Sequence, residues 1–277
     1  MTVERLETIR VEKPWGRRDL WPGFQNPSAD QAAVGEIWFD APHRKNLPLL
    51  VKYLFTSERL SIQVHPNDDQ ARGAGYARGK EEAWVILAAE RGATIALGTL
   101  TVMTASELRE SALDGRIEKL VDWKPVNAGD IIYSPAGTVH AIGAGITLIE
   151  VQQNVDLTYR LYDYGRPREL HLDEGIAVSV AEPFTVAPIF GDIGGGRDLL
   201  VNSDKFTLER WNDRARQVTL TEGNLAWMIP VSGGGTVGGE RYEAGGCWLV
   251  SEGAAIIPDI GAVLLIACEG AIISNLL

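Results

Sequence analysis

The sequence predicts a mainly β protein: an antiparallel β-barrel or sandwich with a small helical insertion, followed by a second, reduced β-barrel domain. Three observations predict it. Short apolar runs recur at turn-marked intervals after Trp123, as GDIIYSP, TVHAI, ITLIEVQQ and TYRLYDY. The C-terminal stretch repeats that style in FTLERW, LAWMIPV, CWLVS, AAIIP and AVLLIACEG. A single region is clearly helical, about 104–121: Thr104 and Glu107 form a capping box, Leu108, Ala112, Ile117, Leu120 and Val121 supply an apolar stripe, and Asp114-Gly115 marks a break.

With 277 residues, 45% of them hydrophobic and 23% charged, the chain suits one large or two ordinary packed domains, and disorder is excluded. We place the first over residues 1–172 and the second over 173–277, with a linker near Asp173 to Pro183. The opening residues MTVERLETIR contain no apolar export segment, and no run is long enough to span a membrane, so a soluble cytoplasmic protein is expected. A net charge of −11 without clustered Lys and Arg excludes nucleic acid. It leaves an anionic small molecule open, because local charge decides binding. Cys247 and Cys268 sit in apolar strand-like runs and read as reduced core residues.

In chain order, Val11 to Phe39 is loop-rich, with Trp15, Trp21 and Trp38 as packing anchors and EIWF as a short strand on which Glu36 reads as a solvated edge charge. LPLLVKYL is an apolar strand interrupted by Lys52, which must snorkel, find an anion or face a polar cavity. Next comes SIQVHPND, Ser61 to Asp68. As a strand it points Ser61, Gln63 and His65 to one face and Ile62 and Val64 to the other, so its polar face lines a cavity. Pro66 ends ladder pairing and leaves His65 at a pocket mouth. DDQARGAGYARGK has no phosphate-loop spacing and reads as a surface excursion delivering the chain to Lys80, Glu81, Glu82 and the strand AWVILAAE.

GDIIYSPAGTVHAI holds Gly129, Pro135, Gly137 and His140 at the spacing G-x5-P-x-G-x2-H, which resembles the second motif of the cupin barrels. Gly129 and Gly137 suit positive-φ turns, and His140 follows on the next strand. The usual first cupin motif is replaced: Gln63-x-His65 stands for His-x-His, and Glu82 comes well downstream. SIQVHPND, GKEEAW, PAGTVH and EVQQNVDLTYRLYDY together resemble the type I mannose-6-phosphate isomerases, metal-dependent enzymes of the cupin superfamily, over roughly Lys13 to Leu172.

The resemblance implies metal ligands at Gln63, His65, Glu82 and His140. Two imidazoles, a carboxylate and an amide oxygen suit one zinc ion with positions left open. It also implies pocket residues at Lys52, Ser61, Lys80, Glu150, Asp156 and Arg160. We assign Ser61 and Lys52 to phosphate or hydroxyl contact and Arg160 to stabilising an enediolate. The implied reaction interconverts mannose 6-phosphate and fructose 6-phosphate. Glu150, Asp156, Lys80 and a metal hydroxide are all candidate bases, with Glu150 preferred. His43, His171, Lys124 and Asp163 read as ordinary surface positions.

The expected partner is a sugar phosphate, with a monomer the default state. The alternative is a non-catalytic sugar or sugar-phosphate binding cupin, and a third reading is an iron oxygenase. Retention of the ligand set with Lys52 and Arg160 disfavours the former, and Gln63 is a poor match to the latter.

Overall fold

The strand Leu49–Phe55 is buried along its whole length, and the reason is that both of its faces are covered. Leu49, Val51, Tyr53 and Phe55 face the C-terminal half of the chain, and Lys52 and Leu54 face the interior of the N-terminal barrel. A strand covered on both sides reads as a continuous apolar run, and the sequence shows one. The computed structural model describes residues 3–21, 23–185, 191–213, 218–219, 225–251 and 254–270.

The N-terminal barrel consists of two antiparallel sheets. One has the strand order Glu7–Arg17, Val34–Asp40, Leu49–Phe55, Ile146–Gln153, Glu82–Ala89, Ile131–Ser134. The other runs Tyr159–Tyr162, Ile62–Val64, His140–Ile142, Thr94–Thr99, Val121–Pro125. Trp15, Trp84, Ile86, Ile95, Ile142 and Leu148 fill the space between them. Gly129 (φ 95°) and Gly137 (φ 85°) occupy the left-handed region at the turns flanking Ile131–Ser134, as their motif requires.

The expected helical insertion is present as Ala105–Asp114, with the Thr104/Glu107 capping box and left-handed Gly115 as its stop, followed by Ile117–Leu120. Leu108, Ala112 and Ile117 cover the outer face of the second sheet, against Ile62, Val64, Ala96 and Ala141. The stretch read as a linker has structure. Leu172–Val178 is a helix packed on that same face, and the chain then bridges Val180 to Thr138 and Pro183 to Gly98.

The C-terminal half builds a seven-stranded sheet in the order Val3–Arg5, Trp248–Ser251, Leu225–Ser232, Val263–Glu269, Phe206–Trp211, Arg197–Asn202, Gly191–Gly194. Its edge strand Val3–Arg5 comes from the opposite end of the chain. A smaller sheet, Val218–Thr219, Ala255–Pro258, Gly234–Val237, Glu240–Glu243, closes over Trp211, Met228, Tyr242, Trp248 and Ile266. The outer face of the large sheet meets the N-terminal barrel, so Phe206, Trp227, Leu249 and Leu265 share one core with Phe39, Tyr53, Phe55 and Ile149. Each fully buried side chain of this kind contributes about 1.5–3 kcal/mol.

Cys247 and Cys268 are free and buried, and burial pushes the Cys268 thiol up to about 12. Among the described residues no helix is long and apolar enough to cross a membrane.

Candidate functional site

Strand register lays two polar rows across the inside of the N-terminal barrel. On the larger sheet, Trp38 pairs with Lys52, Lys52 with Glu150, and Glu150 with Trp84; one step along, Gln152 pairs with Glu82. On the smaller sheet, Arg160 pairs with Gln63 and Gln63 with His140. Directly opposed residues share a face, so each row is a line of touching side chains. Between the rows lies a cavity of about 320 Å³, within the range of small-molecule sites. A larger hollow of about 610 Å³ opens near Leu97, Val126, Leu200 and Arg210, and none of these polar rows reaches it.

Behind Gln63 and Lys80 of the cavity wall, the side-chain ligand atoms of His65, Glu82 and His140 all lie within 4.8 Å of one another, and all three residues are buried. His65 Nδ1 is 2.9 Å from the Leu157 carbonyl, and His140 Nδ1 is 2.9 Å from the Thr138 carbonyl. A carbonyl only accepts, so both rings carry their proton on Nδ1 and present a lone pair at Nε2. Those lone pairs aim at Glu82 Oε1, 3.5 Å from His65 and 3.1 Å from His140. Neither oxygen of Glu82 accepts a hydrogen bond from any described residue. Lys80 Nζ lies 2.9 Å from Oε2 as an ion-pair contact, and 3.2 Å from His65 Nε2.

Lys80 answers one oxygen of Glu82, while the two imidazole lone pairs converge with the other oxygen, and this set of two neutral nitrogens and a carboxylate fits a metal ion. Gln63 stands at the edge of the cluster, its amide 3.2 Å from His140 Nε2 and 3.2 Å from Ser61 Oγ. Rotation about its terminal bond presents the amide oxygen at the same point.

Burial, and next the Lys80 ammonium, push His65 down to about 3. Burial works to raise the Glu82 carboxyl, but Lys80 and the two histidines together outweigh it and hold Glu82 well below the usual range. Burial opposes the Lys80 charge, and Glu82 and Glu150 together more than restore it, so Lys80 stays protonated. A histidine depressed in the folded state binds its proton more readily when unfolded, so the stability it lends is complete above the unfolded value near 6.5 and declines as pH falls toward about 3. Glu82 acts in the same direction at lower pH. The chelated protein is accordingly expected to melt at progressively lower temperature between about pH 7 and about pH 4, as thermal scans read it. A flat profile would contradict this account.

The structure brings the sequence-derived residues to this one cavity, with Lys52, Ser61, Gln63, Lys80, Glu150, Asp156 and Arg160 all on its wall. The puzzle of Lys52 is resolved by an anion: its Nζ lies 3.1 Å from Glu150 Oε1 and 4.7 Å from the centre of the Trp38 ring. The second oxygen of Glu150 accepts from Trp84 Nε1 at 3.0 Å. Asp156 sits exposed at the mouth.

Several readings need correction. Glu36 is no solvated edge charge: it is 7% exposed, lines the cavity, pairs with Lys13 at 3.1 Å and accepts from the Trp38 indole. Burial works to raise its carboxyl, yet Lys52 and Lys13 hold it below the usual range. Asp163, 2% exposed, is clamped by Arg166 (2.8 Å) and Arg168 (2.6 Å), and Arg168 reaches the cavity wall. His171 is half-buried and its Nδ1 accepts from the Arg160 backbone N–H at 3.2 Å. Trp21 is 58% exposed rather than packed inside, whereas Trp15 is buried as expected. His43, at the surface against Glu4, and Lys124, beside Asp122, are as read.

No family model matches the chain. Over 172 residues it is 38% identical to the mannose-6-phosphate isomerase of Streptococcus mutans, covering 59% of this chain and 54% of that protein. The chain thus spans about half the length of that relative. A probable mannose-6-phosphate isomerase of Bacillus subtilis is 32% identical over 228 residues, 76% of this chain and 72% of that one. Among solved structures, the Bacillus subtilis mannose 6-phosphate isomerase superposes with a TM-score of 0.82 at 25% identity, covering 96% of this chain and 99% of the other. On the extent of the 32% match and the agreement of the fold, the chain belongs to the mannose-6-phosphate isomerase family.

Proposed function

We propose that the chain is a zinc-dependent aldose–ketose isomerase that interconverts mannose 6-phosphate and fructose 6-phosphate, with residues 1–172 as the catalytic barrel. The observation that carries this is the convergence of the His65 and His140 Nε2 lone pairs on Glu82, next to Gln63 and Lys80 in the wall of a cavity that also holds Lys52, Arg160 and Glu150. Gln63, His65, Glu82 and His140 are the ligands. A zinc ion held there supplies Lewis acidity toward the substrate oxygens.

The chain's own groups do the rest. Glu150 is the base: it faces the cavity, and Lys52 and the Trp84 indole fix its orientation from either side. The proton leaves C2 for Glu150, the C–H electron pair forming the C1–C2 double bond as the C1 carbonyl pair moves onto O1; the O2 hydroxyl proton passes to O1, the C2 carbonyl forms, and Glu150 returns its proton to C1. Protonated Lys80 is a poor base and instead offers positive charge beside the ligand cluster. Arg160 places its guanidinium against the developing oxyanion, and Lys52 and Ser61 bind phosphate or hydroxyl groups. Asp156, at the exposed mouth, is held by no positioning contact among the described residues comparable to those on Glu150, which favours Glu150 as the base.

The test is fructose 6-phosphate formation from mannose 6-phosphate by the zinc-loaded protein. Glu150→Gln is expected to bind zinc normally and lose turnover by about 10²- to 10⁴-fold, the usual contribution of a positioned base. Absence of turnover by the metal-loaded wild-type protein would sink the reading.

A further inference from the structure

The proposed reaction leaves unused the carboxylate that follows His65 and Pro66 by a few residues. Asp68 opens the short helix Asp68–Gly73, yet its side chain closes the loop behind that helix. Its Oδ1 accepts from the Gly79 backbone N–H at 2.8 Å and from the Gln153 amide at 3.0 Å. Its Oδ2 lies 3.1 Å from Lys205 Nζ, and Lys205 belongs to the turn between Arg197–Asn202 and Phe206–Trp211 in the C-terminal half.

Gln153 carries the connection on. Its Oε1 accepts from the Glu81 N–H at 3.0 Å, and its own N–H donates to the Glu81 carbonyl at 3.1 Å. Lys80 N–H in turn donates to the Pro66 carbonyl at 3.0 Å. The loop closes so tightly that a Cβ on Gly79 would stand 2.4 Å from the Asn67 carbonyl carbon and 2.5 Å from the Pro66 oxygen. Lys80 precedes the strand Glu82–Ala89, so no sheet ladder fixes it; these contacts do.

We propose that Asp68 is a positioning residue for Lys80 and Glu82, and that through Lys205 it makes the C-terminal half part of the site's working geometry. The second domain, which contributes no imidazole, acts on the ligand cluster by clamping the base of the loop that presents it. Burial works to raise the Asp68 carboxyl, and the Gly79 N–H, Gln153 and Lys205 outweigh it, so the group is ionised at neutral pH. Lys205 also touches Asp204 at 2.6 Å, which leaves it within the same acidic neighbourhood.

The activity arm of the test rests on the isomerase reading; the spectroscopic arm does not. In the full chain, Asp68→Ala, Asp68→Asn and Lys205→Met are compared for kcat, KM, melting temperature and the visible band of the cobalt-loaded protein. Small misplacements of catalytic groups cost rate steeply, so Asp68→Ala is expected to lower kcat by at least about tenfold with KM little changed, and to shift the cobalt band. Asp68→Asn keeps an acceptor for Gly79 and Gln153 and is expected to recover most of both; Lys205→Met is expected to fall between. A lower melting temperature with kcat and cobalt band unchanged would make Asp68 merely structural and overturn the proposal. If Asp68→Ala does not fold, Lys205→Met decides on the same two readouts. If the wild-type protein does not isomerise mannose 6-phosphate, the reaction fails separately and the cobalt band alone decides.

Discussion

His140→Ala is expected to lose bound metal and turnover together, with turnover falling by at least about 10³-fold. The ring is 1% exposed, its Nδ1 is fixed by Thr138, and its Nε2 is 3.1 Å from Glu82 and 3.2 Å from Gln63. Removing it deletes one lone pair from the cluster and one neighbour from each remaining ligand, so the loss exceeds the single contact. Metal-to-protein stoichiometry by elemental analysis, read beside the kinetics, checks the result. Full activity in protein without metal would remove the whole ligand assignment.

Arg160→Ala separates charge stabilisation from metal binding. Arg160 Nη1 donates to the Glu169 carbonyl at 2.7 Å, and its Nε is buried without a partner among the described residues, so the guanidinium keeps donors for a ligand. Among the described residues its guanidinium makes no hydrogen bond to His65 or His140. The variant is expected to hold metal at the wild-type ratio and to lose about 10²- to 10³-fold in kcat, roughly 2.7–4 kcal/mol, as for other single donors to an oxyanion. Arg160→Lys is expected to restore little, because an ammonium lacks the planar fork. A loss of only a few-fold would assign Arg160 to holding its own loop through Glu169.

Much of this site was legible because a strand shows its faces in the sequence. Ser61, Gln63 and His65 alternate with Ile62 and Val64, and the cavity face follows from that period alone. The same rule applied to VGEIWFD would have found Glu36 and Trp38: they alternate with Ile37 and Phe39, which enter the shared core. That strand is short and charged, and a lone Glu on an apparent edge was read as solvated. Glu82 was a different case. Its place opposite Gln152 depends on a pairing between distant strands, which no local pattern encodes, and only the family resemblance located it.

Asp163 escaped for a similar reason. Its burial is set by Arg166 and Arg168, which fold back on it through a turn, and each residue by itself looks like surface. The barrel and the helical insertion were readable from turns and caps. The docking of the halves was not, because an apolar run such as LPLLVKYL announces that both faces are covered without saying by what.

The pairing of Val3–Arg5 with Trp248–Ser251 gives the protein a constraint in time. On the ribosome Val3–Arg5 emerges long before its partner strand Trp248–Ser251. Until then the Trp248–Ser251 edge does not exist, and the apolar side of Leu49–Phe55 waits uncovered for the sheet that seals it. Contacts this distant in the chain form slowly, and exposed strand edges invite pairing with other chains in the interval. Synthesis speed and chaperone access therefore bear on the yield of this protein more than on that of a barrel whose first strand pairs with its second.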